Sequence, residues 1–432
     1  MERMEAHNPA QHTLLMGVCL STEALSLKDV SMDELERLAD TAGMKVRDRC
    51  VQRRQKISGR TYVGQGFIGH CLENMDDQID VLVFDNDLTG SQARNIEALF
   101  EVEVMDRSEL ILKIFHNHAR TKEARLQVRL AELKYQLPKL KHMWSHLDRE
   151  RGSSRMGGGA AVRGMGEKQI EMDRQKVQRE IYEIEKDLKR FSRQIHTQRK
   201  LRKRTCWNIG LVGYTNTGKS TLFNRLTHSA VLVQDRLFAT LDTTSRSLNL
   251  GRGRDIILSD TVGFVAGLPH HLVASFRATL KEAEEADLLI HVADISDRDL
   301  EKHMADVKGV LEEIGAGDIP YIQVFNKIDK VDPAVIRGMK RRYPDAHGIS
   351  AKNGTHIQGL LDEIERRINH SRTYELKIPQ GRAKIISDVH AKGKILHKAY
   401  DNDFVRITVE MSPRDMHSLD QYVVDSGDKE RA

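Results

Sequence analysis

The stretch GYTNTGKST, residues 213 to 221, restricts the fold of this 432-residue chain more than any other. It follows the apolar run WNIGLV and precedes TLFNRL, whose apolar residues fall at helical spacing. A glycine-rich turn between a buried strand and a helix lets backbone N–H groups close around a phosphate, at a helix N-terminus that already favours anions. Gly213, Tyr214, Thr215, Asn216, Thr217 and Gly218 form that loop, and Thr221 stands at the start of the helix. Lys219 is placed to bridge the β- and γ-phosphates, and the Ser220 hydroxyl to bind Mg²⁺. Strand before and helix after point to an α/β class, a P-loop NTPase domain with a largely parallel, helix-covered sheet.

Two later stretches narrow the ligand. In SDTVGFVAG, residues 259 to 267, a strand ends in Asp260, placed to hold Mg²⁺ through water. Thr261 and Val262 lead to Gly263, whose N–H would contact the γ-phosphate. Phe264 then stands where many GTP-hydrolysing switches carry a Gln that orients the attacking water. The expectation is slow intrinsic hydrolysis, accelerated by a docked partner that orders the switches. NKID, residues Asn326, Lys327, Ile328 and Asp329, sets the base. The Asp329 carboxylate can accept from both N1–H and the 2-amino group of guanine, two donors that adenine lacks. The Asn326 amide supports the other edge of the base, and the Lys327 stem covers the ring. SAK, residues Ser350, Ala351 and Lys352, follows the next strand and can offer a backbone N–H to O6. In this order the elements read as a GTP-binding domain.

Charge separates another segment from the rest. The chain carries a net charge of only +5, but Lys113 to Arg204 holds 25 Lys and Arg against 11 Asp and Glu. The basic character is therefore local, as expected of a polyanion-binding element. Within it, Leu126, Leu130, Leu133, Leu137, Leu140, Trp144 and Leu147 step by four and three. Ile170, Val177, Ile181, Ile184, Leu188, Phe191 and Ile195 keep the same heptad phase, so the two helices are expected to fold back as an antiparallel hairpin, kinked at Pro138. The connection, RGSSRMGGGAAVRGMGEKQ, is too glycine-rich for helix and carries Arg151, Arg155, Arg163 and Lys168, which suits RNA phosphates better than a mere tether.

Four segments follow: an N-terminal α/β domain over 1–108, the basic hairpin over 109–204, the G domain over 205–370 and a small α+β domain over 371–432. In the first, SMDELERLAD and SQARNIEALF read as helices opened by Ser31 and Ser91 caps. His142 and His146 share a helix face but have no third metal ligand in sequence, and the histidines of HNH, residues 116 to 118, diverge. Four scattered cysteines with no CxxC pair, no long apolar run and no apolar N-terminal region suggest a cytoplasmic protein with reduced thiols.

A resemblance adds to this reading. FATLD (Phe238, Ala239, Thr240, Leu241, Asp242), DTVGF, LPHHLVASFRATL and NKID are similar to the corresponding segments of the HflX family of translation-factor-class GTPases. FDNDLTGSQARNIE, LPKLKHMWSHL and RGMGEKQIEMDR extend the likeness over nearly the whole chain. It implies that Thr240 is the switch threonine completing Mg²⁺ coordination, with Thr243 and Thr244 as neighbouring alternatives, and that Lys219, Thr240 and Gly263 serve catalysis. It also implies a monomeric GTPase that binds the large ribosomal subunit and separates stalled or idle ribosomes into subunits. The chain departs from the family's usual RGPGETQLETDR at Met165, Lys168 and Met172, so the loop is expected to contact its target differently. From the residues alone, a G domain joined to a basic arm fits equally an RNA-remodelling module that GTP regulates and that splits nothing.

Overall fold

Most of the strands form where apolar residues recur with the period their surroundings require. The computed structural model describes residues 11–22, 25–144, 171–191, 206–229, 237–238, 244–248, 255–265, 281–368, 372–401, 403–411 and 416–424. Two compact units divide the chain, Met1–Thr355 and His356–Ala432.

In the first unit, β1 (His12–Leu20), β2 (Lys45–Arg54), β3 (Val81–Phe84) and β4 (Glu103–Asp106) form a parallel sheet in the order β2-β1-β3-β4. Period-two alternation sorts its side chains. Leu15, Val81 and Val83 join Leu35 and Leu38 of α1 (Leu25–Thr41) and Leu110 and Ile114 of α4 (Arg107–His118). Leu14, Met16, Leu82 and Phe84 join Ile68 of α2 (Gln65–Glu73) and Ile96 of α3 (Gly90–Phe100).

Two caps differ from the sequence reading. Ser31 lies inside α1, its hydroxyl bonded to Asp85 rather than to the helix start. Thr89, not Ser91, caps α3, because Gln92 three residues on completes a capping box with it.

Seven of the heptad positions meet as expected, while Leu147, Ile170 and Ile195 lie outside the described residues. Helix α5 (Lys122–Trp144) packs Leu130 and Leu133 against Ile184 of α6 (171–191), with Leu126, Val177, Ile181 and Leu188 around them. Lys122 at the start of α5 lies over Phe191 at the end of α6, so the pair runs antiparallel. Pro138 sits inside α5, and the glycine-rich connection lies outside the described residues.

A second sheet holds β5 (Cys206–Val212), β6 (Thr244–Leu248), β7 (Asp255–Asp260), β8 (Leu288–Asp294), β9 (Tyr321–Asn326) and β10 (His347–Gly348) in the order β10-β9-β8-β5-β7-β6. All its pairings are parallel except β6 with β7. Helices α7 (Lys219–Thr227), α8 (Leu300–Glu313) and α9 (Pro333–Arg342) belong to it. Its core is continuous with that of the N-terminal sheet: Val212, Phe238 and Phe264 share one buried cluster with Phe115 and Leu110. Phe115 meets Phe238 edge-on, ring centroids 4.6 Å apart.

In the second unit, α10 (Ile357–Ile368) precedes an antiparallel sheet of β11 (Arg372–Pro379), β12 (Lys394–Asp401) and β13 (Phe404–Met411), ordered β11-β13-β12. The alternating Val405, Ile407, Val409 and Met411 are buried with Val389 of α11 (Ala383–Lys392).

Candidate active site

The loop from Gly213 to Gly218 joins β5 to α7, and two of its glycines are required by geometry. Gly213 has φ +152°, and a Cβ there would lie 2.2 Å from the Val292 carbonyl oxygen. Gly218 has φ +89°, and its Cβ would lie 2.3 Å from Asn326 Nδ2. The loop thus folds directly against β8 and the NKID segment. Thr217 Oγ1 donates to the Tyr214 carbonyl at 3.0 Å and closes the turn from within.

Lys219 opens α7 and is buried, its Nζ donating to the carbonyls of Gly213 (3.0 Å) and Tyr214 (2.7 Å). Burial pushes its pKa down to about 8, with the Asp260 charge pulling upward. Phosphates beside the ammonium would favour the charged form again. Nucleotide binding is therefore expected to take up part of a proton at a pH of about 8.5, and affinity to fall as pH rises through about 8. Calorimetry in two buffers of different ionisation enthalpy measures this uptake. Equal uptake by Lys219→Met would contradict the assignment.

Ser220, one residue on, donates to Asp260 Oδ2 at 2.6 Å. Asp260 ends β7, fully buried, and Thr261 is fixed by donating to the Leu211 carbonyl at 2.6 Å. Beyond Val262 the backbone passes so close to the loop that a Cβ on Gly263 would lie 2.8 Å from Thr215 Cγ2 and 3.0 Å from Lys219 Nζ. Only glycine fits there. Phe264 has a role that the sequence did not suggest. Its backbone makes a parallel bridge to the phosphate loop: Thr215 N–H donates to its carbonyl at 2.6 Å, and its own N–H to Gly213 at 3.1 Å. Its ring is 2 % exposed, in the core cluster with Tyr214 and Phe238. The ring at this position is a structural wedge, with no polar group to orient water.

The base-reading segments converge on the same loop. Asn326 donates from Nδ2 to the Thr217 carbonyl (2.8 Å) and accepts at Oδ1 from the Ala351 N–H (2.9 Å), so one amide ties NKID to both the phosphate loop and SAK. Lys327, at φ +65°, reaches the Asn216 carbonyl and Asp294 Oδ2, each at 2.7 Å. Ile328 is buried beneath, while Asp329 is exposed, its carboxyl held below the usual range by the Ser350 hydroxyl. Arg225 of α7 supports SAK from behind through the carbonyls of Ala351 and Lys352. Thr221 lies in the first turn of α7. Of FATLD only Phe238 falls among the described residues, buried at φ +55°; Ala239, Thr240, Leu241 and Asp242 lie outside them.

Comparison with known proteins agrees with this arrangement. Residues 29–116 match a family model described as GTP-binding GTPase N-terminal, 118–202 one described as GTP-binding GTPase Middle Region, and 208–327 one described as 50S ribosome-binding GTPase. A GTPase HflX of Magnetococcus marinus is 39% identical over 95% of this chain and 94% of its own length. The chain belongs to the HflX family of GTPases. A second HflX, from Akkermansia muciniphila, is 37% identical over 98% of this chain and 99% of its own. A GTP-binding protein from the hyperthermophilic archaeon Sulfolobus solfataricus, solved in complex with GDP, is 26% identical over 82% of this chain and 98% of its own, with a TM-score of 0.43. As an HflX-family protein the chain is a GTPase, with a P-loop G domain in a multidomain α/β architecture. No helix among the described residues is long and apolar enough to cross a membrane.

Proposed function

We propose that this HflX-family GTPase binds the large ribosomal subunit and uses GTP binding and hydrolysis to separate stalled or idle ribosomes into subunits. One observation carries the reading: a loop tied to a base-reading segment through Asn326 shares a compact unit with a two-helix arm in the chain's most basic segment. The match of residues 208–327 to a model described as 50S ribosome-binding GTPase supports the same partner. The protein works as a cytoplasmic monomer, divided into the four segments read from its sequence.

In this account the loop amides and Lys219 hold the β- and γ-phosphates, and the Gly263 N–H meets the γ-phosphate. Asp329, Asn326, Lys327 and the Ala351 N–H read guanine. The oxygen donors of Ser220 and Asp260, 2.6 Å apart beside the loop, suit a hard cation such as Mg²⁺. Ser220 and Thr240 would hold the ion directly, and Asp260 through water. When bound, it offsets charge on the phosphates.

Sedimentation of ribosomes through a density gradient, with the protein and GTP, tests the reading. Conversion of ribosomes to subunits is expected with wild type. Replacing residues 153–166 by a short neutral Gly-Ser turn is expected to abolish conversion while leaving guanine-nucleotide affinity unchanged. Ribosomes that bind the protein yet stay whole would favour the RNA-remodelling alternative.

A further inference from the structure

A chain of buried polar groups runs from the N-terminal sheet to the phosphate loop. On α1, Lys28 Nζ and Ser31 Oγ both donate to Asp85 Oδ2, at 2.5 and 2.7 Å. Arg107, the first residue of α4, donates to Asp85 Oδ1 at 2.9 Å and to Glu34 Oε2. Glu34 in turn accepts at Oε1 from the hydroxyl of Tyr214, the second residue of the phosphate loop. The side chains of Asp85, Arg107 and Glu34 are 2, 8 and 14 % exposed, so the charges in this chain are compensated by one another more than by water.

Tyr214 is held on its face as well. Its ring stacks on His303 of α8, centroids 3.8 Å apart and planes 13° from parallel, and His303 is fixed by Asp297 at 3.0 Å. A tyrosine pinned at hydroxyl and ring restrains its own peptide, which cannot shift without disturbing those contacts. That peptide's carbonyl accepts from Lys219 Nζ at 2.7 Å and from Thr217 Oγ1 at 3.0 Å. The side chain meets Glu34 of α1 and His303 of α8 while the main chain shapes the phosphate site.

We propose that Glu34 and Tyr214 are positioning residues of the GTPase, through which the N-terminal sheet sets the pose of the phosphate loop. The inference rests on Gly213–Ser220 being the phosphate site. Without the anchor, arriving phosphates must themselves order the loop and draw Lys219 into place, and affinity falls by that cost. A carboxylate and an amide oxygen can each accept the hydrogen bond from the Tyr214 hydroxyl, but the carboxylate accepts more strongly.

The test uses the full chain, binding of a fluorescent GDP analogue and thermal melting. Tyr214→Phe keeps the ring on His303 and removes only the hydroxyl; it is expected to raise the Kd about tenfold. Glu34→Gln keeps the size of the side chain beside Arg107 and is expected to raise it about threefold, and to add nothing when Tyr214 is already Phe. A merely structural contact would lower the melting temperature and leave the Kd of the folded protein unchanged; that result, or additive effects in the double variant, would overturn the proposal. Lys219→Ala separates the two levels of the argument. Its loss of binding is expected, whereas wild-type binding would remove the phosphate-site assignment itself.

Discussion

Gly218→Ala is expected to cost at least a hundredfold in guanine-nucleotide affinity, more than a lone methyl group would suggest. The added Cβ would stand 2.3 Å from Asn326 Nδ2. Asn326 must then move, and it is the residue that joins the Thr217 carbonyl of the phosphate loop to the Ala351 N–H of the base-reading segment. A left-handed backbone at φ +89° adds strain of about 1–3 kcal/mol for any residue with a Cβ. Each buried hydrogen bond left unmade costs about 1–3 kcal/mol. A hundredfold needs about 2.7 kcal/mol, which the lower ends of the strain and of the two Asn326 bonds together already reach. Gly315→Ala is the control. Gly315 also has a positive φ, +80°, but a Cβ there meets nothing within 4 Å. It is expected to lower stability by the same strain, about 1–3 kcal/mol, and to leave affinity as it was. Titration of a fluorescent GDP analogue compares the three proteins, and equal affinity for Gly218→Ala and wild type would refute this coupling of loop and base site.

Asp329→Asn is expected to exchange one base for another. The carboxylate is exposed beside Ser350, so the substitution leaves no buried charge stranded and the melting temperature is expected to stay close to wild type. In the complex, two guanine donors would lose a charged acceptor and face an amide that can accept only one of them well. At about 1.5–3 kcal/mol for a hydrogen bond to a charged group, affinity for GTP is expected to fall on the order of a hundredfold. Xanthosine triphosphate, whose 2-position is an acceptor, is expected to bind the variant better than GTP. Competition between the two nucleotides measures the exchange. Undiminished preference for GTP would place base recognition elsewhere.

What was legible in the sequence was what short spacing encodes. The strand–loop–helix around Lys219 and the heptads that bring Leu130 and Leu133 to Ile184 were readable because each depends on neighbours within a few turns of chain. The Thr89 cap was readable too, since Gln92 three residues on marks a capping box, but Ser91 stood nearer the apolar run. Ser31 could not be placed, because its partner Asp85 lies 54 positions away, just past the end of β3. The edge strand Thr244–Leu248, TSRSL, lacks apolar alternation and forms through pairing with β7. The Glu34–Tyr214 contact spans 180 positions and has no local signal at all. The sequence shows at Phe264 only the lack of a glutamine; burial of its ring among Tyr214 and Phe238 explains why a phenyl group stands there.

That burial leads to the account's central claim. With no polar side chain at position 264 to orient water, the isolated protein is expected to hydrolyse GTP slowly, and a ribosomal partner to supply the order that its own residues lack. The most direct measurement is GTP turnover by the full chain alone and with purified large ribosomal subunits. A rise of at least about tenfold is predicted, which requires only about 1.4 kcal/mol off the barrier. Fast turnover that large subunits leave unchanged would contradict the claim.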